Sequence, residues 1–389
     1  MKESIDESYQ LLAGRHFRRQ LNALTRQFEG IRQNVDIECV HKARVASRRL
    51  RAGLQMFEGC FPAGNYKKWR KEVRRTTKQL GAARDKDVAI MSVHQLLAGL
   101  PEKQYRAGIK RFLLRLEQQR KTLQPQVIKV VERLDSGSTL DEMYSETGRI
   151  LFGLKRHSVS VRSPYVFQQV RRHVQKKLDG LISYQDSLAN PHDYKRHHLM
   201  RIAVKRLRYT LEICRTVHSG RMDNIIKAVK KLQTLLGNVH DCDVRVGRLQ
   251  TFLEEEHQRT VDYFGHARPF ARLKVGIEYC QRDCLIQRER MFEELTDYWQ
   301  KLNEQKLWEK LIRILKEPME PTGAADQQAE IKLPTETEQP TEIKRPDERS
   351  QSADKTPAVE HEQISISQKA AEAGHATEPK LSSDRKPDE

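Results

Sequence analysis

The sequence has few residues that interrupt helices. Of 389 residues, 19 are glycine and 14 proline, and eight of the prolines fall after residue 317. Before that point the Val/Ile/Thr alternation of strands is missing, which argues against a β-rich fold. Cysteine is equally sparse. Cys39, Cys60, Cys214, Cys242, Cys280 and Cys284 show no paired spacing, so neither a disulfide framework nor a zinc knuckle is expected. A reduced, cytoplasmic protein follows from that usage. No run approaches the roughly 18 apolar residues of a membrane-spanning helix. The opening Met1-Lys2-Glu3-Ser4-Ile5-Asp6 puts acids where a secretory signal carries a basic and then an apolar stretch. No phosphate-binding glycine loop is present, and no Ser/His/Asp or Cys/His set has a supporting motif.

Charge, by contrast, is abundant and unevenly spread. The chain carries 71 Lys+Arg against 53 Asp+Glu, a net charge of +18. Residues 318–389 hold 9 basic and 16 acidic residues and no aromatic ring. Rich in Pro, Thr and Glu, this stretch cannot bury enough apolar surface to offset the entropy of ordering, and reads as a disordered acidic tail. Residues 1–317 are left with 62 basic and 37 acidic side chains, a net of +25. A field of that size calls for a polyanionic partner.

Apolar residues in this basic part recur every three or four positions, the helical period. The part is also internally duplicated. His41-Lys42-Ala43-Arg44-Val45-Ala46-Ser47-Arg48-Arg49-Leu50-Arg51 returns as His198-Leu199-Met200-Arg201-Ile202-Ala203-Val204-Lys205-Arg206-Leu207-Arg208, 157 residues later. The same shift pairs Arg15 with Arg172, His16 with His173 and Arg19 with Lys176. Leu80-Gly81-Ala82-Ala83-Arg84-Asp85-Lys86-Asp87-Val88 returns as Leu236-Gly237-Asn238-Val239-His240-Asp241-Cys242-Asp243-Val244, at a shift of 156. A fainter echo pairs Gly108-Ile109 with Gly276-Ile277. The expected organisation is an all-α fold with a first helical repeat over 1–140, a second over 141–317, and the tail over 318–389.

At about 100° per residue, His41, Arg44, Arg48 and Arg51 share an arc of roughly 80°. Ala43, Ala46, Leu50, Leu54 and Phe57 occupy the other side. His198, Arg201, Lys205 and Arg208 stand in the same way against Met200, Ala203, Leu207, Leu211 and Cys214. A third helix sets Lys67, Lys71, Arg74 and Lys78 against Trp69, Val73 and Leu80, and its counterpart sets Lys227 and Lys230 against Ile225, Val229 and Leu236. A solvated helix face usually mixes signs, because like charges at i,i+4 repel by a few tenths of a kcal/mol. Asp223 and Thr234 stand at two of the basic positions of the third helix's counterpart, but the stripes otherwise stay cationic in both copies, which points to binding. Arginine offers planar forks to phosphate oxygens and lysine a compact charge. Single-strand nucleic-acid binders add aromatic platforms for bases; here Tyr209 is the one ring in the stripes. A bare phosphate polymer is favoured over nucleic acid, which stays as the alternative.

The tandem His-x-x-Arg-x-x-x-Arg/Lys-Arg-Leu-Arg helices, each followed by Leu-Gly-x-x-[Arg/His]-Asp-x-Asp-Val, resemble the CHAD family, the conserved-histidine α-helical domain. The similarity covers roughly residues 5–315. It implies two pseudo-twofold-related bundles of about four long helices around a basic central cavity, non-enzymatic binding of inorganic polyphosphate, and location in the cytoplasm at polyphosphate granules, whose proteins are further partners. It also implies ligand contacts at His41, Arg44, Arg48, Arg49, Arg51, His198, Arg201, Lys205, Arg206 and Arg208, beside Lys71, Arg74, Lys78, Lys227 and Lys230 and, on the first helices, Arg15, Arg19, Arg172 and Lys176. Lys205 replaces an arginine of the first copy and His240 replaces Arg84, so the second copy is expected to grip less tightly. Relatives often carry a Glu-x-Glu-x-Lys strand of a triphosphate tunnel enzyme; none occurs here, as in a freestanding binding domain.

Competing chemistry has weaker support. His41 and His198, with Asp85, Asp87, Asp241 and Asp243, offer metal-ligand types, but without the paired i,i+4 spacing of a helical metal site. No metal, cofactor or catalytic residue is expected, although a polyphosphate-processing enzyme remains a rival reading. The Asp-x-Asp pairs read as caps of a new helix after Leu-Gly, or as braces for the arginine forks. Cys280 and Cys284, one turn apart, read as buried small apolar residues.

Overall fold

A computed structural model describes residues 5–34, 36–100, 102–155 and 159–317. The acidic tail over 318–389 lies outside them. Among the described residues the chain is all-α, without a strand. Eleven α-helices follow one another: α1 Glu7–Thr25, α2 Phe28–Gln33, α3 Ile37–Met56, α4 Ala63–Ala98, α5 Arg106–Asp135, α6 Ser138–Lys155, α7 Pro164–Ile182, α8 Tyr194–Cys214, α9 Asp223–Phe264, α10 Phe270–Glu304 and α11 Leu307–Lys316.

The helix starts repeat with the sequence. The Asp6 side chain caps α1 through the Tyr9 amide, and Ser163, 157 residues on, caps α7 through the Val166 amide. Asp36 caps α3 and Asp193 caps α8 by the same device. The first two caps also meet, because Ser163 Oγ donates to Asp6 Oδ1 at 3.0 Å. Packing repeats as well. In the first half α1 lies on α3 and α6, and α4 lies on α3 and α5; in the second, α7 lies on α8 and α11, and α9 lies on α8 and α10. The halves join where α3 packs on α8 and where α5 packs on α10.

Every apolar position of the sequence stripes is buried: Ala43, Ala46, Leu50 and Leu54 on α3 with Phe57 at its C-cap, their α8 counterparts, and Trp69, Val73, Leu80, Ile225, Val229 and Leu236 on α4 and α9. They belong to one core that runs through both halves. A second, smaller core closes the far end, where Ile109, Phe112 and Leu116 of α5 meet Leu249 and Phe252 of α9 and Ile277 of α10. The glycine echo marks this junction. A Cβ on Gly108 would sit 2.0 Å from the Leu273 carbonyl oxygen, and one on Gly276 would sit 2.1 Å from that of Tyr105. Position 105 is related to 273 as 108 is to 276, so the contact is reciprocal, as between two equivalent units.

Two expectations need correction. The boundary at 140/141 assigns α6 to the second repeat, yet α6 completes the first. Its Tyr144 hydroxyl donates to Asn22 Oδ1 of α1 at 3.0 Å, and Glu142 accepts from Trp69 Nε1 of α4 at 3.2 Å. The apolar side of α6 is used against α1, as that of α11 is against α7. Nor does a helix start after Leu-Gly. The backbone of α4 runs unbroken through Gly81, and that of α9 through Gly237. Asp85, Asp87, Asp241 and Asp243 are mid-helix and cap nothing.

Candidate functional site

The aspartates brace arginines instead. Arg44 Nη2 of α3 lies 3.8 Å from Asp85 Oδ1, and Arg201 Nη2 of α8 lies 3.8 Å from Asp241 Oδ1, the repeat-related pair at the same distance. Gly81 lets the first of these arms cross α4, since a Cβ there would be 3.3 Å from Arg44 Nε. The second Asp of each motif points into the helix hairpin. Arg120 Nε donates to Asp87 Oδ1 at 2.6 Å, and Arg288 Nε to Asp243 Oδ1 at 2.5 Å. Each Asp-x-Asp therefore splits its work, one carboxylate holding a cluster arginine and the other fastening α4 to α5 or α9 to α10.

The basic rows of the two halves converge. Tyr209 of α8, buried, lies under Arg48 of α3 at 5.3 Å and under Arg208 of its own helix at 5.1 Å. Burial pushes the Arg48 guanidinium below its usual range; Tyr209 opposes this, and the positive charges of Arg44 and Arg208 add to it. Lys205 senses the same gathering. Burial, then Arg201, Arg48 and Arg44, push its amine down to about 6, against the pull of Asp241. The side chains of Arg44, Arg201 and Asp241 keep 24%, 20% and 53% of their surface open to solvent. The cluster is thus partly enclosed by protein yet reached by water. The ring of His198 lies 4.6 Å from that of His240. Burial, Arg201 and Lys205 hold His198 below the usual histidine range, and burial followed by Arg201, His198, Lys205 and Arg248 brings His240 to about 4. His41 lies half-buried on the second turn of α3.

Not every expected contact joins this group. Arg49 Nε pairs with Glu212 Oε2 at 3.3 Å across the α3–α8 seam. Arg208 shares that carboxylate at 3.5 Å while stacking on Tyr209. Arg51 and Arg206 are exposed at the other end of the seam; burial, then Arg74, Arg206, Arg48 and Arg70, push the Arg51 guanidinium down. Lys71, Arg74 and Lys78 on α4 and Lys227 and Lys230 on α9 are exposed, as are Arg15 and Arg19 on α1 and Arg172 and Lys176 on α7.

Sequence reading missed several cations near the site. Arg248 Nη1 of α9 donates to the Asp85 carbonyl of α4 at 3.3 Å, and Arg245 reaches Ser92 of α4, so both bridge the halves. Their spacing from Asp241, four and seven residues, places all three on one helix face, and that signal was available. Lys177 of α7, held low by burial and by Arg206, had no counterpart to draw attention to it.

Residues 15–250, more than half of the chain, match the family model described as the CHAD domain. The chain belongs to the CHAD family. Solved structures agree at the level of fold. The CHAD domain from the plant Ricinus communis is 20% identical with a TM-score of 0.52, the match covering 74% of this chain and 90% of that one. PptA from Streptomyces chartreusis is 14% identical with a TM-score of 0.52, over 75% and 99%. Two uncharacterised proteins from strains of Mycobacterium tuberculosis are 27% identical to this CHAD protein over 220 residues, 52% of its length and 38% of theirs. The match thus spans well under half of those relatives. No helix among the described residues is long and apolar enough to cross a membrane.

Proposed function

We propose that this CHAD protein binds inorganic polyphosphate in the concavity between α3 and α8, without catalysis, and that it gathers at polyphosphate granules in the cytoplasm. The observation that carries this reading is the convergence of Arg48, Arg44, Arg201 and Lys205 from both halves around Tyr209. The guanidinium groups among them, held together at their own electrostatic cost, need an anion to offset the repulsion. Forks braced at 3.8 Å by Asp85 and Asp241 are positioned for phosphate oxygens before the ligand arrives. Tyr209 supports polyphosphate over nucleic acid, because it is buried under two guanidinium groups and presents no free face on which a base could stack.

The test compares binding of long-chain polyphosphate, RNA and single-stranded DNA at equal phosphate concentration in physiological salt. Polyphosphate should bind tightest. Glutamate at Arg44, Arg48, Arg201 and Lys205 together should abolish its retention while circular dichroism stays helical. Retention by that variant, or equal competition by RNA, would overturn the reading. Release of phosphate or shortening of chains by the purified protein with divalent metal would overturn the non-enzymatic part.

A further inference from the structure

Away from the cationic rows, the two halves differ where the start of α3 or α8 meets its helix hairpin. In the second half Arg288, held by Asp243, is covered. Its guanidinium carbon lies 4.5 Å from the centre of the Tyr194 ring and 5.7 Å from that of Phe292, and its Nη2 donates to the Pro191 carbonyl at 2.6 Å. Arg120 and Asp87 are the equivalent pair of the first half, also joined through Nε. The shift that pairs Gly108 with Gly276 puts Gln124 where Phe292 stands. The shift that pairs His41 with His198 puts Ile37 where Tyr194 stands, each the first residue of its helix, and Asn34 where Pro191 stands. Both rings are gone, and among the described residues no other ring lies over Arg120. In their place is a groove of about 830 Å³ between α4, α5 and the start of α3. Ile37, Ile90, Met91, Pro125 and Ile128 line it beside Arg120, with Ile37 and Met91 exposed. That size suits a small molecule.

We propose that this groove binds an uncharged aromatic ligand carrying an N–H or O–H donor, its ring over Arg120 as the Tyr194 ring is over Arg288. The site is separate from the polyphosphate reading and does not depend on it. Charge selects a neutral ligand. Residues 1–317 carry a net of +25, yet at the groove Arg120, Lys121 and Lys129 are matched by Asp87, Glu117 and Glu132, so a polyanion finds no net attraction there. The fork selects a ring. Nε and Nη1 of Arg120 are taken by Asp87 and Gln124, at 2.6 and 2.9 Å, and an aromatic face packs on the plane of a guanidinium whose edge is occupied. The donor answers two acceptors among the lining residues. Asp87 is buried, and its Oδ2 has no hydrogen-bond partner among the described residues. Pro125 lies inside α5 with no N–H to give, so the Lys121 carbonyl lacks the donor four residues on. A buried acceptor left without a donor is costly, and the ligand's N–H or O–H removes that cost.

The probe is β-naphthol, a neutral double ring with a single O–H. Titration calorimetry on the full chain should show one molecule bound per chain. Its methyl ether keeps the rings and loses the donor, and should bind about tenfold more weakly, as expected when a buried acceptor stays unpaired. Ile37→Tyr supplies the ring of the second half and should weaken β-naphthol about tenfold or more, whereas Ile37→Leu leaves the groove open and should bind within about twofold of the parent. Gln124→Phe supplies the other ring from α5 and should also weaken binding. Thermal melting confirms that the variants are folded. Parent-like binding by both Ile37→Tyr and Gln124→Phe would place the probe elsewhere and overturn the groove. Equal affinity for the methyl ether would overturn the part of the donor. Saturating long-chain polyphosphate should leave β-naphthol bound, and the charge reversal at Arg44, Arg48, Arg201 and Lys205 should not affect it. Displacement by the polymer would put the probe among those cations and sink the separate site, as would absence of β-naphthol binding to the parent.

Discussion

At the residue scale, the side chain most exposed to its neighbours' charge is Lys205. The repeat places it where the first half has Arg48. That exchange is more than a loss of planar geometry, because lysine can shed its proton and arginine does not. Facing Arg201, Arg48, Arg44 and Asp241, with His198 and His240 beside it, the amine sits near 6 and is mostly neutral at pH 7.5 before a ligand binds. A polyanion restores the charged form, so binding takes up a proton. The affinity should therefore rise as pH falls from 8 to 6. Calorimetry in two buffers of different ionisation enthalpy should detect proton uptake, and Lys205→Arg should bind with a flatter pH profile. This pH dependence belongs first to a lysine and not to the histidines, because burial and neighbouring cations hold His198 low and His240 near 4. An unaltered profile in Lys205→Arg would reassign it. The same physics sets stability at lower pH. His16, fully enclosed with its ring Nε2 donating to the Arg49 carbonyl at 3.1 Å, is held at about 3, chiefly by burial. It stays neutral when folded and charges on unfolding below its ordinary value of about 6.5. The unfolded state therefore gains protons as pH drops from that value toward 3, and stability is lost across the window.

At the scale of the element, the Asp-x-Asp motif shows what spacing alone reveals. Helical repeats, cationic stripes and apolar faces were legible because each follows a 3.6-residue period. That Asp85 holds Arg44 was one of two open readings. That Asp87 reaches Arg120 on the next helix was not legible, because the pairing depends on how α4 lies against α5. Leu80-Gly81 looked like a helix end, since glycine inside a helix costs about 1 kcal/mol relative to alanine. The crossing of Arg44 uses that missing Cβ, so tertiary packing overrode the local signal. The boundary at 140/141, inside α6, failed for a similar reason: an amphipathic helix between two repeats carries no mark of which half will cover it. The two aspartates should respond differently to mutation. Asp87 is buried against Arg120, and Asp87→Ala strands a buried guanidinium, an error that costs about 3–5 kcal/mol. Asp85, with 58% of its side chain exposed, should lose less than about 1 kcal/mol on the same change. Denaturant melts of the two variants give the comparison, and equal losses would refute the division of labour.

For the whole molecule, the duplication does two jobs. It closes the fold through the reciprocal glycine contacts of α5 and α10, and it brings two cationic rows face to face between α3 and α8. The second job works against the first. Positive charges gathered between α3 and α8 repel each other in the folded state and far less in an expanded chain, so the empty site lowers stability. Arg48 is the best place to measure this, because among the described residues no carboxylate lies within ion-pair distance of it and its guanidinium lies 5.3 Å from the centre of the Tyr209 ring. Arg48→Met removes the charge and keeps most of the stem. Without polyanion and at low salt, this variant should melt above the parent by about 2 °C, corresponding to roughly 1 kcal/mol in a protein of this size. The gap should narrow as salt rises toward 1 M, where the screening length falls to about 3 Å. Saturating polyphosphate should then invert the order. A ligand at a hundredfold excess over its dissociation constant adds about 2.7 kcal/mol to the state that binds it, and the parent gains more of that than Arg48→Met. A variant that melts below the parent both with and without polyphosphate would mean that Arg48 serves packing, and that the convergence of the two rows is held by Tyr209 rather than awaiting an anion.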